Sequence, residues 1–454
     1  MVRWDSAADD VSMSSQIADL ADTTPDTRNR YVDALRAASI LVVVFGHWLM
    51  AGPEMRADGT IRLGHLVAES TLIQGLTWIF QVMPVFFFVG GYANAAGWRS
   101  ARRRGERYPA WLRSRLRRLA MPVLPLLVFW AIAGSAAITF GLDPDLLRAG
   151  SQAALVPVWF LATYIVAVAL APVTLRLWER FGWSSIAGMT VAAAMIDVAT
   201  LGLEIHILRW ANYVFVWNAV HALGYAWADG RIGTARTRTA LGLGGVGVLA
   251  ALVAALPYPL AMVGLDAAAV TNSNPPKVTL VFLSLFQFGL LTALETPARR
   301  MLENRALWTT VIGVSATIMT LYLWHLTAMV GVIGAQIGLG GFGLRHSVNT
   351  PVWWATRPVF LAVLGVVTFL LLRAFRRYER PQPDTRPDPP AWRPILGTIL
   401  LCAGLGNLAS SGIVSDGAVS IVTLGLPFVG VFVGGVIGAG AYARRVRRAA
   451  AAAS

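Results

Sequence analysis

Hydrophobic residues along this chain fall in long stretches, and the polar residues are gathered in the segments between them. Each stretch approaches 20 residues, the length that an α-helix needs to cross roughly 30 Å of hydrocarbon. Twelve stretches can be counted, with centres near Val43, Val85, Ala131, Ile165, Ala192, Val216, Val248, Leu285, Met319, Leu364, Leu401 and Val431. The pattern predicts an all-α, polytopic membrane bundle of about twelve transmembrane helices.

Composition and charge refine this picture. Hydrophobic residues make up 56% of the 454 residues and charged residues only 14%, while the net charge is +14. The basic residues are spread over alternate loops, so we expect anionic membrane lipids as partners and no nucleic acid. By the positive-inside rule, these loops also predict a multi-pass protein of the cytoplasmic (inner) membrane with both termini inside.

Composition shifts divide the chain into five predicted parts. They are a disordered cytoplasmic tail (1–29), a ten-helix membrane domain (30–375), a Pro- and Arg-rich cytoplasmic linker (376–393), two additional transmembrane helices (394–443) and a basic cytoplasmic tail (444–454). The linker reads as an extended segment because it is rich in proline. The last two helices could therefore form an accessory module.

Arg36 and His47 are the first candidates for chemistry, because ionisable residues in a membrane helix are costly and usually functional. Ten residues lie between them, an offset of eleven positions that brings both to nearly the same helix face, roughly 16 Å apart along the axis. Arg36 could instead be an interfacial anchor. His47 lies deeper and could act as a general base or proton relay, or could make a helix-packing hydrogen bond.

Two further ionisable residues are predicted at a similar depth to His47. Asp197 lies in the fifth apolar stretch and His325 in the ninth. If these helices adjoin the first, Asp197 could orient or charge-stabilise a catalytic imidazole, as carboxylates do in nucleophilic triads. Independent buried polar contacts are the alternative interpretation.

A basic segment follows the second apolar stretch. It runs from Trp98 to Met121 and includes Arg113, Arg115 and Arg118, which suit a phosphate-bearing ligand through charge-assisted contacts. Anchoring to anionic lipid would explain the same charges. The chain has no P-loop, no nucleophile elbow, no Rossmann fingerprint and no Cys/His set with metal-ligand spacing, so no metal is expected.

Together these motifs resemble acyltransferase family 3, the bacterial integral membrane acyltransferases. The resemblance covers roughly residues 28 to 375. It rests on Arg36-x10-His47, on Phe86-Phe-Phe-Val-Gly-Gly-Tyr92, on Arg115-x-x-Arg118, on Val158-Trp-Phe-Leu161 and on Tyr322-Leu-Trp-His325.

The resemblance implies an O-acyltransferase that moves an acyl group, often acetyl, from cytoplasmic acyl-CoA to a hydroxyl of an extracytoplasmic glycan or lipid. Acyl-CoA would be a donor substrate, with no permanently bound cofactor. The resemblance assigns Arg36 and His47 to function and associates Arg115 and Arg118 with the donor. One departure is Gly90, where many members have serine.

On this basis His47 is predicted to take a proton from the acceptor hydroxyl, with an acyl-histidine intermediate as a variant. His325 or Asp197 could position His47 or replace it, and Arg36 would hold the donor or the helix geometry. Gly91 and Tyr92, together with Arg113, are added to the predicted acyl-CoA site. A proton-coupled transporter or exporter of an envelope precursor is the alternative function.

Overall fold

The computed structural model describes residues 19–25, 28–264, 270–379 and 386–437. The described residues are 75% helical, and their only sheets are two short antiparallel hairpins. The predicted all-α class is therefore confirmed. The helices, in chain order, are α1 (Arg30–Met50), α2 (Thr71–Phe80), α3 (Met83–Arg103), α4 (Tyr108–Ala120), α5 (Val123–Thr139), α6 (Pro144–Phe181), α7 (Trp183–Leu201), α8 (Asn212–Ala228), α9 (Ala235–Ala255), α10 (Thr279–Ala293), α11 (Glu295–Met301), α12 (Arg305–Ala316), α13 (Ile318–Gly338), α14 (Pro351–Phe375), α15 (Trp392–Ser411) and α16 (Ile421–Val433).

The number of membrane spans is smaller than predicted. Every predicted stretch centres on a helix, but among the described residues only eight helices are long and apolar enough to cross a membrane, or ten if two bent pairs each count as one span. The pairs α4–α5 and α10–α11 bend by 42° and 52°. Helix α16 has 13 residues, which at 1.5 Å per residue reach roughly 20 Å and fall short of the hydrocarbon thickness. The count of twelve spans is therefore not confirmed.

One end of α1 is covered by a hairpin. Strands β1 (Ala51–Met55) and β2 (Ile61–His65) follow α1 directly, and Ala51 pairs with His65. The loop after α13 adds to this cover, because the amide of Met55 donates to the carbonyl of Leu344 over 2.8 Å. We call this side of the molecule the hairpin end.

The last two helices pack on the ten-helix part. Helix α15 lies against α6 and α16, and a Cβ at Gly404 would meet the ring of Pro427 at 2.6 Å. Only glycine permits this close approach of α15 to α16. The Sγ of Cys402 also lies 3.4 Å from the carbonyl of Ala162 in α6, so α15 is joined directly to the bundle.

Part of the segment predicted to be a disordered tail is ordered against α12. Asp22 pairs with Arg305 over 2.8 Å, and the indole of Trp308 donates to Thr24 over 3.2 Å. Trp308 and Arg305, both on α12, therefore hold residues 19–25 against the helix. The acidic composition of the tail did not indicate this contact. The rest of that tail at 1–18 and 26–27, the linker residues 380–385 and the basic tail at 444–454 lie outside the described residues.

Candidate active site

Helix α1 carries Arg36 and His47 at opposite ends. The helix begins at the side chain of Asn29, which accepts from the amides of Tyr31 and Val32, and ends at Ala51, whose amide donates to the carbonyl of His47. Arg36 thus lies near the basic segment, and His47 lies beneath the hairpin end. The predicted separation along one helix is confirmed.

His47 and His325 form a direct pair. Nδ1 of His47 lies 3.0 Å from Nε2 of His325, and the two rings stack with centroids 5.2 Å apart. Helix α13, which carries His325, packs against α1. The sequence had placed the two histidines at a similar depth, and the structure brings them together.

The tautomers of this pair follow from its partners. Nδ1 of His325 lies 2.6 Å from the carbonyl of Tyr322, and a carbonyl can only accept, so this nitrogen carries a proton. In neutral His325, Nε2 is then an acceptor, which requires Nδ1 of His47 to donate. Nε2 of His47 therefore keeps its lone pair, and it makes no hydrogen bond to any described residue. A neutral imidazole in this state is ready to accept a proton.

The surrounding side chains hold the pair in place. The indole of Trp48 donates to the backbone carbonyl of His325 over 3.1 Å, and the hydroxyl of Tyr322 donates to the carbonyl of Pro157 over 2.8 Å. His65 of strand β2 lies close enough for its charge to act on His47. The pair is thus held by contacts between helices.

The opposite end of α1 is rich in arginine. Arg36 pairs with Asp33 over 2.6 Å, and Arg28 binds the other oxygen of Asp33 at the same distance. Nε of Arg36 is buried and makes no hydrogen bond to a described residue. Charge from Arg118 acts on Arg36, so the predicted donor-side arginine and the arginine of α1 lie close together. We call Arg36, Arg115 and Arg118 the arginine cluster.

Tyr164 of α6 lies among these arginines, although the sequence analysis did not identify it. The charges of all three members of the arginine cluster act on its phenol. Arg115 lies over the ring of Trp111, with Cζ 5.4 Å from the ring centroid. A Cβ at Gly97 would collide with the guanidinium of Arg115, so glycine at this position leaves room for it. A single tyrosine within an apolar stretch gave no signal of this role.

Arg113 has other partners. Its guanidinium donates to the carbonyls of Pro387 and Arg386 in the linker, over 2.7 and 3.0 Å, and its side chain is buried. Among the contacts with described residues, Arg113 therefore joins helix α4 to the linker, whereas Arg115 and Arg118 lie with Arg36 and Tyr164. These described contacts of Arg113 to the linker differ from the contacts described for Arg115.

The glycine and tyrosine positions of α3 make packing contacts. A Cβ at Gly91 would collide with the backbone carbonyl of His221, and one at Gly90 would meet the ring and hydroxyl of Tyr164 at 2.7 Å. Tyr92 lies edge-on to Trp227, with ring centroids 5.2 Å apart. Tyr164 thus fills the space beside Gly90. Many members of acyltransferase family 3, which this chain resembles, have serine at this position.

A small apolar cavity lies between the arginine cluster and the histidine pair. It is lined by Ile40, Phe86, Leu119, Phe160, Leu161, Tyr164, Ile318, Met319 and Tyr322. Ile40 stands one turn after Arg36, and Tyr322 supplies the carbonyl that His325 binds, so the cavity bridges the two groups. Its volume is about 20 Å³, enough for about one water molecule.

Asp197 occupies a different part of the molecule. Its carboxylate accepts from Asn212 over 2.8 Å, from Tyr258 over 3.1 Å and from the amide of Val278 over 2.8 Å. Lys277 lies 3.7 Å away and is itself buried. Burial and the adjacent carboxylate both raise the pKa of the Tyr258 phenol, which keeps it a hydrogen-bond donor.

These partners join the loop after α9 to helices α7 and α8. Asp197 makes no contact with His47 or His325 among the hydrogen bonds and ion pairs of the described residues. The structure therefore does not bring the predicted carboxylate to the histidine pair. The interpretation as an independent buried polar contact, left open by the sequence, matches this placement. No group of His, Cys, Asp and Glu suited to a metal ion occurs in the described part of the chain.

The geometry describes a helical membrane protein with a histidine pair at one end of a long helix and an arginine cluster at the other. A family model described as an acyltransferase domain matches residues 29–373. The chain therefore belongs to acyltransferase family 3 and is a membrane acyltransferase, as the resemblance predicted. It has no significant match among curated proteins or among solved structures.

Proposed function

We propose that this acyltransferase moves an acyl group, acetyl in the simplest case, from acyl-CoA to a hydroxyl group of an envelope glycan or lipid. The observation that carries the proposal is the hydrogen bond of 3.0 Å between His47 and His325. It leaves Nε2 of His47 as a free base at the hairpin end. A general base of this kind contributes roughly 10²- to 10⁴-fold to a rate.

In the proposed reaction, the acceptor oxygen attacks the thioester carbonyl while Nε2 of His47 takes the hydroxyl proton. The bond between carbonyl carbon and sulfur then breaks, and the proton on His47 passes to the leaving thiolate to give free CoA. His325 stabilises the transient imidazolium because its Nε2 accepts from Nδ1 of His47 throughout. The carbonyl of Tyr322 holds His325 in the required tautomer.

The arginine cluster is proposed to bind the phosphates of the donor. Guanidinium groups bind phosphate through paired, charge-assisted hydrogen bonds, and Nε of Arg36 is buried and makes no hydrogen bond to a described residue. The thioester arm would then pass along the apolar cavity toward His47. Since the cavity holds about 20 Å³, we expect Phe86 and Tyr164 to move when the arm enters.

The test uses purified full-length protein in lipid nanodiscs and in sealed vesicles, with acyl-CoA labelled in its acyl group and an envelope extract as the source of acceptor. We expect label to become covalently attached to a glycan or lipid of the extract, in amounts that grow with enzyme and time. Uptake of a labelled precursor into vesicles without covalent transfer would contradict the proposal and favour the transporter.

A further inference from the structure

Arg357 of α14 is a buried cation that the proposed reaction does not use. Its side chain lies between the rings of Trp353 and Phe360, with Cζ 4.3 and 4.6 Å from their centroids, and the residue is 7% exposed. Its hydrogen bonds are long, at 3.4 Å to the carbonyl of Ala51 and 3.5 Å to the hydroxyl of Thr356. Nε makes none.

No carboxylate balances this charge. Within the described residues Arg357 forms no ion pair, whereas the buried Asp33 and Asp197 each have a basic partner. Taking a guanidinium out of water is costly, and stacking on the two aromatic rings offsets only part of that cost. A charged residue kept in a membrane helix at such a cost points to function.

The position of Arg357 connects it to His47. Ala51, whose carbonyl it contacts, follows His47 by four residues, and the amide of Ala51 donates to the carbonyl of His47. The guanidinium therefore lies about one helical turn, roughly 6 Å, beyond His47 along the axis of α1. Arg36 lies in the opposite direction along that axis. Arg357 thus stands on the side of His47 remote from the arginine cluster.

We propose that Arg357 binds an anionic oxygen group, a carboxylate or a phosphate, on the acceptor while a hydroxyl of the same molecule reaches His47. The proposal rests on the proposed function, since it names the acceptor class for the same site. Planar guanidinium groups favour these anions because two parallel hydrogen bonds form at once. Two sources share this chemistry: an acidic sugar and the headgroup of an anionic phospholipid.

The experiment measures binding and needs no acyl transfer. Full-length protein is prepared in nanodiscs of phosphatidylcholine alone and in nanodiscs that also contain phosphatidylglycerol, and its thermal unfolding midpoint is recorded with glucuronate or with neutral methyl glucoside. A ligand that binds only the folded protein raises this midpoint. We expect a rise of about 2 °C or more from glucuronate or from phosphatidylglycerol, and none from methyl glucoside.

Variants assign the effect to the residue. Arg357→Gln should abolish the rise, and Arg345→Gln should keep it, because Arg345 is an exposed arginine at the hairpin end whose guanidinium contacts the carbonyl of Gly340. If Arg357→Gln does not purify as a monodisperse protein, Arg357→Lys replaces it. That variant keeps the charge and loses the planar fork, so the midpoint should respond only at about tenfold higher ligand concentration.

Each outcome decides the matter. A rise with glucuronate that Arg357→Gln removes supports the proposal with an acidic sugar as acceptor, and a rise confined to phosphatidylglycerol supports it with a lipid headgroup. No rise in the wild type, or a rise that survives in Arg357→Gln, overturns it, as does an equal loss in Arg345→Gln. Because label transfer is measured separately, failure of this proposal leaves the proposed function intact, and a midpoint rise without label transfer would reject the proposed function alone.

Discussion

The two ends of helix α1 differ in kind. At one end Arg36 lies with Arg115, Arg118 and Tyr164 in a charged group, and at the other His47 and His325 form a hydrogen-bonded pair. The first arrangement suits the binding of a polyanion, and the second suits the transfer of a proton. The proposed function therefore separates donor binding from chemistry by roughly 16 Å along a single helix, so mutations at the two ends should affect different kinetic constants.

The largest effect is expected at the histidine pair. His325→Ala removes the group that fixes the tautomer of His47, so kcat should fall by about 10²- to 10⁴-fold while KM for acyl-CoA changes little. Steady-state transfer of labelled acyl groups measures both constants. His346→Ala, on the loop at the same hairpin end, serves as the control. A rise in KM with unchanged kcat would mean that His325 binds substrate and does not position His47.

A substitution at Asp197 tests whether the catalytic group includes a carboxylate outside helices α1 and α13. Its carboxylate accepts from Tyr258 and lies beside Lys277, and breaking a buried pair costs about 3–5 kcal/mol. Asp197→Ala should therefore lower the thermal unfolding midpoint, while kcat of the folded fraction stays within about twofold of the wild type. If Asp197→Ala has normal stability and a kcat reduced about a hundredfold, Asp197 belongs to the catalytic group and this prediction is wrong.

Substitutions in the arginine cluster should have a smaller effect than His325→Ala, and they should change KM for acyl-CoA instead of kcat. Arg115→Ala removes charge-assisted hydrogen bonds worth roughly 1.5–3 kcal/mol, so KM for acyl-CoA should rise about 10- to 100-fold with kcat little changed. Arg113→Ala is the matched comparison, because Arg113 donates to the linker carbonyls and should leave KM unchanged. Equal rises in KM for both variants would contradict the assignment of Arg115 to donor binding and of Arg113 to the linker.

Much of this layout could be predicted from particular residues. Hydrophobic periodicity and length located the helices, and His47 and His325 were predicted at a similar depth, but whether their helices adjoin was left open. Span number could not be read this way, because α16 has 13 residues and the apolar stretch at Val431 continues beyond that helix. Whether an apolar stretch remains one straight helix depends on tertiary packing, which its composition does not record.

The contacts of the remaining site residues could not be predicted, because their partners lie in distant segments of the chain. Tyr164 and Arg357 each lie in an apolar stretch, and their partners come from other helices or from the hairpin. Arg113 and Arg115 are two residues apart in the same basic segment, yet one contacts the linker and the other the cluster. Helix geometry points such neighbours to different faces, but only the fold decides what each face meets.

The central claim is that His47 is the base of acyl transfer, and one measurement tests it most directly. Purified wild type, His47→Ala and His206→Ala are compared in nanodiscs for transfer of labelled acyl groups to the envelope acceptor; His206 is an exposed histidine and serves as control. The account predicts loss of transfer in His47→Ala by at least about 10²-fold, with unchanged expression and thermal unfolding, and full transfer in His206→Ala. Full activity in a folded His47→Ala protein would contradict the account.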